Sequence, residues 1–460
     1  MKKRLIVAPL ALALAGGAWA GTTLYTGAET RDAYERLVAQ LDAASGLSVR
    51  TASLEEGFMT SLAITEVRPS DDPDAPVLAR LRHEIAHSPG GLAGGVPSAA
   101  RIVTTFAFDD AAGASADAEV DAVVRALLDG FGGAAPLTLV STVGFGGAID
   151  NRVSLAAWRA DVDGGSISVE PGTWDVAVGA DGSFEGTGRW GGARVDAADG
   201  TRLSVGAAED RFAYAKRGPR LYDGEYRVDF APSELRHGAT GMGGTVGAAS
   251  IVSSSSIGAG RAGFETAVAL EDMALPLPLE SVRYEIGARG LDLSGLERAI
   301  ASGDGVSAAA FADDGDGTAV EAAFADYLDA LAGLVVPGAE ATFALHLGNA
   351  GGDADARATV LFEGDGSGAG LASLVTVGDL ARATRTTLAL DVDEAAVAIT
   401  PAAMFLDPAA LAPWVVSDGT RYTADIVLDD LIVDVNGVPM SLEDMAGEAL
   451  AAPLGGPDAG

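Results

Sequence analysis

The chain has no cysteine, which removes disulfides, Cys-ligated zinc, iron–sulfur clusters, thiol catalysis and a lipid-modified N-terminal cysteine from consideration. Positive charge is also scarce. Lys and Arg number 30 against 65 Asp and Glu, for a formal net charge of −35; a surface this acidic repels nucleic acid and anionic headgroups. No nucleic-acid partner is expected. Only Lys2, Lys3 and Lys216 are lysines, which fits either an Ala/Gly/Arg-rich genome or a halophile's surface, where dense carboxylates keep a protein hydrated. Two further signatures are missing: there is no G-x-S-x-G elbow and no Gly-Lys phosphate loop, so serine-hydrolase and nucleotide-phosphate readings lack their usual support.

What is present is a foldable chain. It has 460 residues, 48% hydrophobic and 21% charged, a composition that builds real cores and suits two or three domains, or fewer if the architecture is all-β. After Met1 come Lys2, Lys3 and Arg4, and no further charge appears before Glu29. That pattern is an export signal with two readings: an uncleaved anchor with the basic triplet held in the cytoplasm, or a signal peptide cut between Ala20 and Gly21 after the small-residue site Ala18-Trp19-Ala20. Either way the remaining chain lies outside the cytoplasm.

Thr26 to Glu29 has capping-box spacing, and Tyr34, Leu37, Val38 and Leu41 recur on one helical face, so a helix is expected to about Ser45. The pattern then shifts to strands at Leu47 to Ser53 and Phe58 to Val67. A second helix is expected at Asp117 to Leu128, from Val120, Val123, Val124, Leu127 and Leu128. From Leu137 to about Leu293 the sequence reads as a β meander with Asp-Gly turns at 163/164, 181/182, 199/200 and 223/224. Trp174, Val176 and Val178 alternate into one such turn, and Ser183 to Trp190 return from it. Trp158, Trp174 and Trp190 are read as sheet core. Val320 to Leu334 is helix-like, and strands resume at Ala341 to Leu347 and Ala358 to Phe362. Pro401 to Pro413 reads as a short helical excursion. The close is Tyr422 to Leu428, then Leu431 to Val435, a turn at Asn436-Gly437, and a short helix started by Ser441 and Asp444.

His83-Glu84-Ile85-Ala86-His87 is a literal H-E-x-x-H. On a helix it would place two imidazoles one turn apart to hold zinc, with Glu84 deprotonating a bound water. Val77, Ala79, Leu81, His83 and Ile85 also alternate as a strand would, which would separate the two His by about 13 Å. No third ligand has standard spacing. Gly186 to Gly191 and Gly258 to Gly263 both match G-x-G-x-x-G, but neither opens a helix and 61 glycines make a chance match unremarkable, so both are read as turns in β structure. Asp313 to Gly317 lacks an EF-hand register and reads as a solvated turn, with a weak calcium contact as the alternative.

Several segments together resemble a known family. The charged leader and apolar anchor, the helix Ala28 to Leu41, Glu56-Gly57-Phe58-Met59-Thr60-Ser61, His87-Ser88-Pro89 and the closing Asn436-Gly437-Val438-Pro439-Met440-Ser441-Leu442-Glu443-Asp444 are similar to the YdgA-like proteins of Gram-negative bacteria, whose function is unknown. The family pattern has Gly where Ser88 stands. The resemblance implies an inner-membrane anchor and a periplasmic β-rich body; it implies no catalytic residues.

The reading is therefore mainly β (α+β): residues 1–27 a signal anchor, 28–136 a helix with the first strands, 137–310 a β meander, and 311–460 an α+β part. The expected role is a non-enzymatic envelope factor binding an apolar ligand, lipid or protein partner, with no cofactor. The alternative is a zinc-dependent hydrolase with His83 and His87 as ligands and Glu84 as base. The ligand-binding residues and the oligomeric state are not legible.

Overall fold

A computed structural model describes residues 48–454 except for connecting segments, the longest being 56–59, 69–76, 88–91, 108–129, 313–317 and 399–412. The anchor, the helices expected at 28–45 and 117–128, the Asp313 to Gly317 loop and most of the 401–413 excursion lie outside the described residues. Two compact units are formed, residues 1–216 with 304–320 and residues 217–303 with 321–460.

The first unit holds β1 (Ser48–Glu55), β2 (Thr60–Arg68), β3 (Ala79–His87), the two-residue pair β4 (Leu92–Ala93) and β5 (Val96–Pro97), β6 (Ala100–Ala107), β7 (Leu137–Val143) and β8 (Ile149–Leu155). It continues through β9 (Trp158–Val162), β10 (Gly165–Val169), β11 (Gly172–Val178), β12 (Phe184–Trp190), β13 (Ala193–Asp196), β14 (Arg202–Val205) and β15 (Ala208–Lys216). All pairings are antiparallel. One run is ordered β1-β2-β3-β6-β7-β8-β11-β12-β15 and a second β9-β10-β13-β14. Alternation drives burial: in β2, Ser61, Ala63, Thr65 and Val67 are buried while the residues between them are partly exposed.

The second unit holds β16 (Tyr222–Phe230), β17 (Ser233–Arg236), β18 (Gly243–Gly258), β19 (Arg261–Ala274) and β20 (Ser281–Asp292), then parts of helices α1 (Leu293–Ala312) and α2 (Thr318–Ala332), which belong to it up to residue 303 and from residue 321. It closes with β21 (Ala339–Asn349), β22 (Gly352–Phe362), α3 (Val377–Ala383), β23 (Thr384–Asp393), α4 (Glu394–Ala398), β24 (Val416–Ser417), β25 (Arg421–Asp429), β26 (Ile432–Val435), β27 (Val438–Ser441) and α5 (Leu442–Ala446). The order is β16-β18-β19-β20-β21-β22-β23-β25-β26-β27. The large antiparallel β body with a few helices is thus as expected.

Three details differ from the sequence reading. Gly224 sits inside β16 opposite Ser255, so Asp223-Gly224 is not a turn; the chain reverses earlier, where Arg217 N–H donates to the Leu221 carbonyl at 2.8 Å. Gly164, Gly182 and Gly200, by contrast, have φ of 78°, 82° and 83° in their hairpin loops, the left-handed region that glycine enters without a Cβ clash. The second difference is α1, a helix of 20 residues not expected from a segment carrying Gly295, Gly303 and Gly305. Asp292 starts it by accepting from Gly295 N–H at 2.8 Å, and Leu293 and Leu296 pack against the buried cluster Ala262, Leu291, Ala339, Phe362 and Ala383. The third is Gly186 to Gly191, which runs along β12 and just past it; only Gly258 to Gly263 contains a turn, the β18–β19 reversal between Gly258 and Arg261.

Candidate functional site

The H-E-x-x-H segment is β3, a strand and not a helix. His83 and Glu84 therefore project to opposite faces: His83 is 8% exposed, whereas Glu84 is exposed and pairs with Arg82 at 3.0 Å. His87 closes the strand opposite Ala100, four strand positions from His83 and without the one-turn spacing a zinc helix supplies. His83 lies in the interior with Thr65 Oγ1 3.1 Å from Nε2 and Thr104 Oγ1 3.0 Å from Nδ1. A neutral imidazole meets both by donating to one hydroxyl and accepting from the other. Burial pushes its pKa down to about 4, because the charged ring would lose its hydration. Among the described residues, no three His, Asp or Glu side chains group to hold a metal ion. The structure thus places His83 and Glu84 on opposite faces of a strand and gives His83 a packing role.

Polar grooves lie on the wet face of each unit. In the first, a cavity of about 820 Å³ is lined by Arg101, Asp150, Arg152, Asp175, Glu185 and Arg211. In the second, a cavity of about 640 Å³ is lined by Arg283, Glu285, His346, Asp355 and Arg357 among others. Much of this charge is spent locally: Arg152 meets Asp175 at 2.7 Å, Arg283 meets Glu285 at 2.5 Å and His346 Nδ1 meets Asp355 at 3.2 Å. Trp174 and Trp190 occupy the alternate positions, on the other face; Trp174 Nε1 donates to Asp210 Oδ2 at 3.0 Å across the Cβ-less Gly188.

The opposite face of the second unit has a different character. Register places Phe264, Ala288, Ala341, Val360 and Thr386 in one row across β19 to β23, and Thr266, Ile286, Phe343, Ala358 and Leu388 in the next. A third row is Val268, Tyr284, Leu345, Ala356 and Leu390. No charged residue stands on this face; Arg283, Glu285, His346, Asp355, Arg357, Asp391 and Asp425 all occupy the alternate positions. One end of the face is covered by Leu293, Leu296, Leu334, Leu371 and Leu374 over Phe362 and Ala383. Its middle is open: Phe264 is 47% exposed, Ile286 40%, Val360 39%, Leu388 39% and Phe343 36%. Single exposed apolar side chains are ordinary, but five adjoining ones on a charge-free sheet form a patch of the kind that marks a binding surface.

Comparison with known proteins adds kinship. A family model described as "Bacterial protein of unknown function (DUF945)" matches residues 1–443. The chain belongs to this family. No curated protein matches it, and no solved structure does. No helix among the described residues is long and apolar enough to cross a membrane; the expected anchor lies outside them. Family membership assigns no reaction, so the charge-free face, which becomes visible only when the strand registers are assembled, is the feature that bears on function. The signal for it in the sequence was the alternation itself, as in Thr266-Ala267-Val268 or Thr387-Leu388-Ala389-Leu390.

Proposed function

We propose that this chain is a non-enzymatic factor of the bacterial envelope, held in the inner membrane by residues 5–27 with its body in the periplasm, and that the second unit's sheet presents its charge-free face to an apolar partner. A cut after Ala20 would leave the same body in the periplasm. The observation that carries the reading is the row of large apolar side chains, Phe264, Ile286, Phe343, Val360 and Leu388, left 36–47% exposed on adjoining strands. A one-faced sheet gains roughly 25 cal/mol for each Å² of apolar surface it withdraws from water, so an open face of this kind favours a bound partner. The leader pattern and the similarity to YdgA-like envelope proteins support the location.

The cysteine-free background permits a direct test. Phe343→Cys and Thr342→Cys place thiols on opposite faces of β21, and a maleimide that crosses the outer but not the inner membrane is applied to intact cells and to purified full-length protein. The expected result is that Cys at 342 reacts in both, while Cys at 343 is protected in cells and reactive after purification. Equal reaction at both positions in cells would overturn the reading of an occupied face. No reaction at 342 in cells, with reaction after lysis, would overturn the periplasmic location.

A further inference from the structure

Resting on the reading above, we infer that the occupant of the charge-free face is hydrocarbon, the acyl chains of a neutral or zwitterionic lipid. The first argument is hydrogen-bonding capacity. Strands β19 to β23 are interior, each paired on both sides, so their ladder N–H and C=O groups are directed at neighbouring strands. Four hydroxyls on or beside the patch are engaged with the protein itself: Ser253 and Thr266 meet each other at 3.0 Å, Ser255 donates to the Tyr222 carbonyl at 2.9 Å, and Thr384 donates to the Leu380 carbonyl at 2.8 Å. A protein partner brings about one hydrogen bond per 100–200 Å² of interface and a polar rim. It would find few groups here to answer it, and its own polar groups would be buried unpaired. A hydrocarbon chain has none to leave unpaired.

The second argument is charge. A second copy of this chain would bring another formal −35 and be repelled, as would an anionic headgroup, whereas a neutral or zwitterionic lipid brings no net charge. The third is reach. From Phe264 on β19 to Leu388 on β23 is four interstrand steps, about 19 Å at about 4.8 Å each. One leaflet of a bilayer's ~30 Å hydrocarbon core is about 15 Å deep, so an acyl chain is long enough to lie along most of the patch. The covered end, where Leu293 and Leu296 pack over Phe362, runs alongside that path as a side wall.

Photo-cross-linking in the envelope tests the assignment. The full chain is produced with p-benzoylphenylalanine at Phe343, at Leu388, or at Ala344 on the charged face, irradiated in cells, purified and weighed by mass spectrometry. Adducts of the mass of a neutral or zwitterionic glycerolipid at 343 and 388, absent at 344, are the expected result. Adducts with polypeptide at 343 and 388 would overturn the hydrocarbon assignment and leave the apolar-partner reading standing. Adducts dominated by anionic lipid would overturn the headgroup assignment. No adduct at 343 or 388, in protein whose circular dichroism matches the parent, would overturn both readings.

Discussion

The buried imidazole of His83 makes the first unit's stability depend on pH in a way that can be worked out in advance. In the folded chain its pKa lies at about 4 against an ordinary 6.5. Above pH 6.5 neither the folded nor the unfolded state holds the proton, and the full stability is present. As pH falls from about 6.5 to about 4, the unfolded chain takes up a proton that the folded interior refuses, and stability is lost at up to about 1.4 kcal/mol per unit. Over the 2.5 units between 6.5 and 4 the loss is about 3 kcal/mol. Carboxylates titrate in the same range, so the comparison is with His83→Gln, which keeps a donor and an acceptor but cannot ionise. Urea unfolding of both proteins is followed at pH 7, 6, 5 and 4 by tryptophan fluorescence, to which Trp158, Trp174 and Trp190 of the first unit contribute. The free-energy advantage of the parent over the variant should shrink by about 3 kcal/mol between pH 7 and pH 4. An advantage constant across that range would refute the buried, neutral histidine.

Three further outcomes follow from packing. At Gly188 an added Cβ would lie 2.0 Å from Trp174 Cδ1 and 2.1 Å from Asp210 Oδ1, so Gly188→Ala should destabilise the first unit by about 1–3 kcal/mol, read as a fall in its thermal midpoint. Thr376 and Asp379 cap α3 reciprocally, the Thr376 hydroxyl accepting from Asp379 N–H at 3.1 Å and the carboxylate accepting from Thr376 N–H at 3.0 Å; Thr376→Ala should cost about 1 kcal/mol in denaturant unfolding. Phe343→Asp on the open face should shift stability by far less than Phe362→Asp, because Phe362 is 2% exposed and burying an unpaired carboxylate there costs several kcal/mol. Equal losses for the two would show that the face is not open.

Much of the fold was legible because most strands have one wet face. Trp174, Val176 and Val178 alternate with Asp175 and Ala177 and become β11; Tyr422 to Leu428 becomes part of β25; Asn436 and Gly437 turn the chain with φ of 54° and 85°; and Ser441 caps α5 by accepting from Asp444 N–H at 3.2 Å. The alternation of Leu81, His83 and Ile85 was the feature that favoured a strand over a zinc helix. What escaped did so for physical reasons. Helix α1 carries glycines that lower intrinsic propensity, and it is held by tertiary contacts of Leu293 and Leu296 that no local pattern displays. Strand β23 was not distinguished from its surroundings, although Leu388, Leu390 and Val392 alternate with Ala389, Asp391 and Asp393. The open face was illegible because it depends on which strands adjoin: Ile286, Phe343 and Leu388 are far apart in sequence and meet only through register.

The most direct measurement is the polarity at the open face of the full chain reconstituted with zwitterionic lipid. Nitroxide labels are attached at single cysteines introduced at Phe343 and at Thr342, and collision with molecular oxygen, which concentrates in hydrocarbon, is compared with collision with a water-soluble nickel chelate. The label at 343 should favour oxygen and the label at 342 nickel. Preference for nickel at both positions would contradict the hydrocarbon assignment.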